Sequence, residues 1–229
     1  MQRIVVLTGA GISAESGIRT FRDSGGLWES YRIEEVATPQ AWTSNPLLVL
    51  DFYNQRRKQI IAAQPNEGHK ALVELEQKFE VKVITQNIDD LHERAGSADV
   101  LHLHGEIMKS RSSADPTLVY QLSGDSILQG EKCERGSQLR PHIVWFGEEV
   151  PMMEVAIELT RCADILMVIG TSLAVYPAAG LLHYAERAKR KFLIDPAAEL
   201  PPSIHDFEII RQPAGTGVPQ VVKQLLSNE

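Results

Sequence analysis

The sequence predicts an α/β protein, a doubly wound parallel sheet carrying a smaller inserted module. Two observations lead there. Short apolar runs rich in β-branched residues recur at 4–7, 81–85, 100–103, 165–169 and 192–194, and they are continuous rather than alternating, as strands covered on both faces are. Helical patterns fall between several of them, at 69–79, 153–162 and 178–190. Strands and helices alternating on that scale place successive strands parallel in one sheet.

The first strand runs directly into a glycine-rich turn. IVVLTGAGISA sets Gly9, Gly11 and Ala14 at the spacing of a dinucleotide-binding turn, with Ala10 and Ser13 among them. Glycines permit close backbone approach, and the N-terminus of the following helix can receive a phosphate. The large domain is therefore expected to be Rossmann-like, although a tight strand-to-helix connection without a ligand could use the same residues. Nicotinamide dehydrogenases continue with a second strand and an acidic residue roughly 20 positions on. Here that region reads FRDSGGLWES, and Glu29 stands near the distance with no strand pattern before it. Hydride transfer is disfavoured while dinucleotide binding survives.

Two stretches break the alternation, 28–65 and 107–141, and they are expected to form the small module. The large domain then takes 1–27, 66–106 and 142–229. Residues 111–138 are polar and weakly patterned, which fits either a loop or the remnant of a metal-held unit. A chain of 229 residues with 43% hydrophobic and 23% charged content suits one soluble domain with an insertion. The formal charge of −7 supplies no field for phosphate backbones, so nucleic acid is not an expected partner. No apolar run approaches the roughly 20 residues that span a bilayer, and MQRIVVLTGAG lacks the form of a signal peptide. Cys133 and Cys162 are far apart and give no disulfide framework. No membrane association and a reducing, cytoplasmic setting are expected.

Five motifs then occur in order: GAGISAESGIRTFR (9–22), TQNIDDLHERAG (85–96), LHGE (103–106), PHIVWFGE (141–148) and GTS (170–172). Together they make the chain resemble the sirtuins, the Sir2 family of NAD-dependent protein deacylases, from end to end, in the bacterial class III desuccinylase/deacetylase type. The resemblance implies that NAD is a consumed reactant: the oxygen of an acyl-lysine amide attacks the ribose carbon bearing nicotinamide, and the acyl group leaves on ADP-ribose. It gives His104 the role of general base toward a ribose hydroxyl, a task suited to an imidazole whose ordinary pKa is about 6.5. His102, two positions earlier, is expected to be structural. Gln86, Asn87, Ile88 and Asp89 are implied to line the ribose and nicotinamide pocket, with Asn87 and Asp89 taking part in catalysis. Without the motif, NIDD reads as a helix start with Asp near its positive end.

By the same resemblance, Arg19, Phe21, Arg22 and Trp28 belong to the cofactor loop. The proline and aspartate that usually precede the phenylalanine are Arg19 and Thr20 here, a variant shared by bacterial members. Gly170, Thr171 and Ser172 are implied to face phosphate. Asp195, followed by Pro196 and Ala197, stands where many sirtuins have an asparagine against the adenosine ribose, and Ala214 falls on the adenine side.

The acyl group is read from Tyr53 and Arg56, three apart and so neighbours on one helix face. The pair is similar to the Tyr-x-x-Arg of sirtuins that remove succinyl, malonyl and glutaryl groups, in which arginine pairs with the distal carboxylate. Ala37 matches the small residue that leaves room for a longer acyl chain, and Val144, Phe146 and Gly147 fall on the substrate segment. Outside the family, an exposed Arg56-Arg57-Lys58 stripe with Tyr53 as a packing aromatic would be the expectation. Acylated lysines of proteins are the implied partners, and a monomer is expected.

Most sirtuins hold the small module with zinc on two Cys-x-x-Cys pairs, at positions matched here by Ser112, Asp115, Cys133 and Gly136. One thiolate remains where structural zinc takes four Cys or His ligands. A zinc-free module with no metal ligand is therefore predicted, held by Ile107, Leu118, Val119, Leu122, Ile127 and Leu128. NAD hydrolysis or ADP-ribosyl transfer needs the same cofactor pocket, and a non-catalytic NAD sensor would not need His104.

Overall fold

The structure, a computed structural model, describes residues 1–18, 31–200 and 204–227. Its large sheet has six parallel strands: β1 (Arg3–Thr8), β2 (Glu80–Thr85), β3 (Val100–His102), β7 (Ile165–Ile169), β8 (Arg190–Ile194) and β9 (Glu208–Ile210). Their spatial order is β3-β2-β1-β7-β8-β9. Counting these strands alone along the chain, that is the doubly wound order 3-2-1-4-5-6, whose direction reverses between β1 and β7. The period of two along each strand divides the apolar side chains between two cores. Ile4, Val6, Val83 and Met167 face the helices α5 (Glu67–Leu75) and α8 (Ala214–Ser227), while Val5, Leu7, Ile84 and Val168 face α7 (Met153–Arg161) and a 3₁₀ segment, Ala178–Tyr184. Burial on both faces explains why the runs look continuous in sequence.

Two expected helices are shorter than their patterns. Residues 69–79 give α5, which begins at Glu67, where Asn66 Oδ1 accepts from the Gly68 amide, and ends at Leu75. Residues 178–190 give only the 3₁₀ segment to Tyr184. Gly180 weakens a regular helix there, and Arg190 and Lys191 are claimed by pairing with Ile165 and Leu166 of β7.

The small module is built from helices and a second sheet. Short α2 (Ile33–Val36) and α3 (Pro39–Ser44) lead to the long α4 (Pro46–Ala62), and proline opens both α3 and α4 behind the capping side chains Thr38 and Asn45. The sheet is antiparallel, with β4 (Gly105–Ser112) between β5 (Val119–Gln121) and β6 (Leu139–Ile143). A third apolar cluster joins the two parts, packing Val49, Phe52 and Ile60 of α4 against Ile107, Ile143 and Trp145. Ile107 and Ile127 are buried as expected. Val119 and Leu128 are exposed instead, Val119 because β5 is an outer strand with only its middle residue turned inward and Leu128 in the irregular segment that follows. Among the described residues no helix is long and apolar enough to cross a membrane.

Candidate active site

The site begins where two turns cross at the reversal between β1 and β7. The Gly9 amide donates to Ile169 O at 3.0 Å and the Gly11 amide to Gly170 O at 2.8 Å. A Cβ on Gly11 would lie 2.6 Å from Gly170 Cα, and one on Gly170, whose φ is +60°, would lie 2.4 Å from the Ile12 nitrogen. These glycines therefore serve chain-on-chain packing first. The helix expected to receive a phosphate, α1 (Gly11–Ala14), is a single turn with Ala10 before it and Ala14 at its exposed end. So short a helix has little macrodipole, which leaves individual amides as anion donors.

A chain of buried polar groups crosses beneath this turn. Asn87 Nδ2 donates to Gly9 O at 3.1 Å and to Ser13 Oγ at 3.2 Å, and Ser13 Oγ donates to Asp89 Oδ2 at 3.0 Å. Both amide hydrogens of Asn87 are thereby committed, so the carbonyl oxygen is what its side chain can offer a ligand. Asp89 Oδ1 also accepts from the Leu91 amide at 3.2 Å. Burial pushes the Asp89 carboxyl upward, opposed by that amide, by Ser13 and by the charges of His102 and Arg56. The helix start read in NIDD is α6 (Leu91–Ala95), whose N-cap is Asp90, and Asp89 just before it meets the first helical amide.

His104 follows β3. Its Nδ1 lies 3.0 Å from Gln86 O, and a carbonyl only accepts, so Nδ1 carries the hydrogen and Nε2 the lone pair. Burial lowers the imidazole pKa, with the Gln86 carbonyl opposing, so the ring is an uncharged base at neutral pH. Gly105 after it has φ +84° and a backbone so close to His142 that a Cβ would sit 2.1 Å from the carbonyl oxygen. Only glycine lets β4 leave at that angle. His102 is structural as expected, bound between Asn87 O at 3.1 Å and Glu93 Oε1 at 2.7 Å. Ile88 accepts from the Ile107 amide and ties the pocket to β4.

On the other side of the crossing, Gln86 Nε2 donates to Thr171 Oγ1 at 3.2 Å. Ser172 is exposed beside it. Asp195, just past β8, accepts from the Ala197 amide at 2.8 Å, with Pro196 exposed between them. Ala214 is buried at the start of α8, where Glu15 accepts from the Gly215 amide at 2.6 Å. The C-terminal ends of β2, β1, β7 and β8 are thus ringed by an amide oxygen, hydroxyls and a carboxylate, a set that fits the ribose hydroxyls and carboxamide of NAD. Arg19, Phe21, Arg22 and Trp28 lie outside the described residues.

The residues expected on the acyl side lie close together, Ala37 and Tyr53 in one apolar cluster. Ala37, Tyr53 and Arg56 are all buried, which overturns the exposed basic stripe as a description of Arg56. Burial lowers the Arg56 pKa, and Tyr53 and then Asp89 oppose the shift, so Arg56 lies within electrostatic reach of both. The Val144 amide donates to His104 O at 2.9 Å and the Phe146 amide to Ala37 O at 3.0 Å. One segment is therefore stitched between His104 and Ala37, ending at Phe146 and at Gly147 with φ +90°, both exposed. Trp145 within it donates from Nε1 to Tyr53 Oη at 3.0 Å. Nothing in its sequence surroundings marked that role.

The positions matched to zinc ligands converge without forming a ligand set. Cys133 Sγ lies 3.4 Å from Ser112 Oγ, which also accepts from the Ala114 and Asp115 amides, and Asp115 pairs with Arg135 at 2.7 Å. One thiol, one hydroxyl and a carboxylate already paired do not fit tetrahedral zinc. Among the described residues no three His, Cys, Asp or Glu are grouped to hold a metal.

A parallel sheet in this order, with an uncharged histidine and a buried amide, hydroxyl and carboxyl chain at its reversal point, has the make-up of a dinucleotide-dependent α/β enzyme. The Sir2 family profile matches residues 9–177, and the chain belongs to the Sir2 family. An NAD-dependent protein deacylase of Bacteroides thetaiotaomicron is 52% identical over 231 residues, covering 99% of this chain and 98% of that protein. One from Helicobacter pylori is 56% identical over 199 residues, covering 87% of this chain and 85% of its own. Among solved structures, a mutant Sir2 homologue in complex with ADP-ribose matches with a TM-score of 0.90 at 40% identity, over 99% of this chain and 94% of that one. A Sir2 homolog–NAD complex matches with a TM-score of 0.88 at 41% identity, over 98% and 89%.

Proposed function

We propose that the chain is an NAD-dependent protein-lysine deacylase that removes acetyl groups and acidic acyl groups such as succinyl and malonyl, releasing nicotinamide and O-acyl-ADP-ribose. The relatives named as NAD-dependent protein deacylases support the reaction. The acyl preference is carried by one observation: Arg56 is buried within electrostatic reach of both Tyr53 and Asp89.

When bound, NAD supplies the ribose carbon that receives the acyl oxygen as nicotinamide departs. Asn87 offers its carbonyl oxygen to the sugar, and Asp89 accepts from the carboxamide while Ser13 and the Leu91 amide hold it in place. His104 takes a proton from a ribose hydroxyl at Nε2, and the Gln86 carbonyl bound at Nδ1 stabilises the charge that results. The half-exposed Phe146 offers an apolar face to the lysine stem. Arg56 and the Tyr53 hydroxyl together receive the distal carboxylate of a succinyl or malonyl group. An acetyl group lacks that carboxylate but meets the same base, so both activities coexist. The small module works without zinc.

Product analysis by mass spectrometry on acetyl- and succinyl-lysine peptides tests the reaction: O-acyl-ADP-ribose is expected, and free ADP-ribose alone would mark a hydrolase. A charge-assisted bond to a carboxylate is worth about 1.5–3 kcal/mol. Arg56→Met is therefore expected to lower desuccinylation about tenfold to a hundredfold while deacetylation changes far less. Equal loss of both activities defeats the acidic pocket.

A further inference from the structure

We propose that Trp145 is a specificity-determining positioning residue, fixing the direction of the Tyr53 hydroxyl so that its hydrogen points to an acidic acyl group. The inference rests on the reading of Tyr53 and Arg56 as the acidic-acyl pocket. An indole has a hydrogen to give and no oxygen or nitrogen lone pair to offer. In the 3.0 Å contact between Trp145 Nε1 and Tyr53 Oη the phenol oxygen must therefore accept. With that lone pair occupied, the hydrogen on Tyr53 is turned away from the indole and needs a different acceptor. Tyr53 and Trp145 are only 3% and 2% exposed, so bulk water is not at hand to supply one.

The indole is held firmly enough to act as a reference point. The guanidinium carbon of Arg140 lies 3.2 Å from the centre of its ring, and the ring of Trp42 packs at 5.8 Å. The Trp145 backbone amide donates to Glu148 Oε2 at 2.8 Å. Glu148 is gripped in turn by Arg140, at 2.7 and 3.1 Å, and by Arg111, at 3.0 and 3.1 Å. Arg111 belongs to β4 and Arg140 to β6, so the small sheet is the frame that aims the phenol.

The chemistry that profits is a distal carboxylate, which accepts from the Tyr53 hydroxyl and from Arg56 together. A terminal methyl has no acceptor, so the aim of the hydroxyl is of no use to an acetyl group. Trp145 therefore acts on the choice between acyl groups rather than on the transfer itself.

The test removes the indole N–H and keeps the ring. Trp145 is replaced site-specifically by benzothienylalanine, which has the same shape and no N–H, and in parallel by Trp145→Phe. For each protein kcat/KM is measured on paired succinyl- and acetyl-lysine peptides. The succinyl-to-acetyl ratio is expected to fall about three- to tenfold, the weight of one neutral hydrogen bond. In a Tyr53→Phe background the same replacement leaves the ratio unchanged, because no hydroxyl remains to be aimed. Equal loss on both peptides, an unchanged ratio, or a full effect persisting in the Tyr53→Phe background overturns the proposal. If Trp145→Phe does not fold, the isosteric protein decides. The underlying pocket is judged separately by the unmodified enzyme and Arg56→Met. Absent or Arg56-independent desuccinylation defeats the pocket, whereas Arg56-dependent desuccinylation indifferent to the indole N–H defeats only the role of Trp145.

Discussion

Asn54 holds the main chain of Ile127 from both sides, donating from Nδ2 to its carbonyl at 3.0 Å and accepting from its amide at Oδ1 at 2.9 Å. Arg57, fully buried on the same helix, gives Nε to Ile107 O at 2.7 Å and a terminal nitrogen to Asn54 Oδ1 at 2.7 Å and Asp125 O at 3.3 Å. Burial lowers its pKa to about 10, with Asp125 opposing, so the group stays charged at neutral pH and carbonyl oxygens solvate it. Truncating it leaves those buried oxygens unmet. Arg57→Met is expected to cost about 3 kcal/mol, which lowers Tm by roughly 6–12 °C for a chain of this size. Calorimetry checks this against Lys58→Met, whose exposed side chain should matter by less than about 0.5 kcal/mol.

The same fastening bears on zinc. With Cys133 facing the Ser112 hydroxyl and Asp115 paired to Arg135, protein purified without chelator should carry less than about 0.1 zinc per chain, and EDTA should leave its melting unchanged. Stoichiometric zinc by elemental analysis would refute a metal-free module.

His104, as the proposed base, should set an acid limit on turnover. Its base is the unprotonated Nε2, and burial, opposed by the Gln86 carbonyl, lowers its pKa. On acetyl-lysine peptide, kcat/KM should rise with pH through one midpoint below about 6.5 and then level off. His104→Ala should lower it about 10²- to 10⁴-fold at every pH. A midpoint above 6.5 would contradict this placement of the proton.

Stability should fall in acid for a separate reason. The rings of His69 and His92 meet edge to face at 5.0 Å, both are buried, and His92 Nε2 lies 3.0 Å from the Thr8 hydroxyl at the end of β1. Burial holds His69 down at about 4 and His92 well below its ordinary value. Below about pH 6.5 the unfolded chain binds protons that the fold refuses. Their contribution is therefore complete above about 6.5 and is lost as pH falls toward 4, by up to about 1.4 kcal/mol per unit for each ring. Urea midpoints at pH 7, 6 and 5 should decline, and His69→Gln should flatten the decline.

Much of the large domain could be read in advance because β1 and β7 are buried on both faces and carry no polar alternation, and β2 and β8 each end in three buried residues. The three-residue β9 escaped notice: Glu208 and Ile209 are exposed, and an edge strand needs no apolar run. The small sheet escaped for a related reason, since β5 turns one residue inward and β4 mixes Lys109 and Arg111 with its apolar side chains. In the candidate site, His104, Asn87 and Asp89 stand in contiguous motifs, and the structure sets them just past the ends of β2 and β3. The bonds among Asn87, Ser13 and Asp89, and from Trp145 to Tyr53, join residues up to 92 positions apart, and spacing within a motif carries no trace of them.

The pairing of β1 with β7 also sets a timetable. The Arg3 amide bonds to Asp164, 161 positions along the chain, so a ribosome working at about 5–20 residues per second leaves one edge of the central strand waiting for roughly 10 to 30 seconds. Until then Gly9, Asn87, Asp89 and His104 have all been made, yet the wall formed by Gly170 and Thr171 is missing. The residues proposed for catalysis are complete long before the cleft is, and a chain released early would carry them to no purpose.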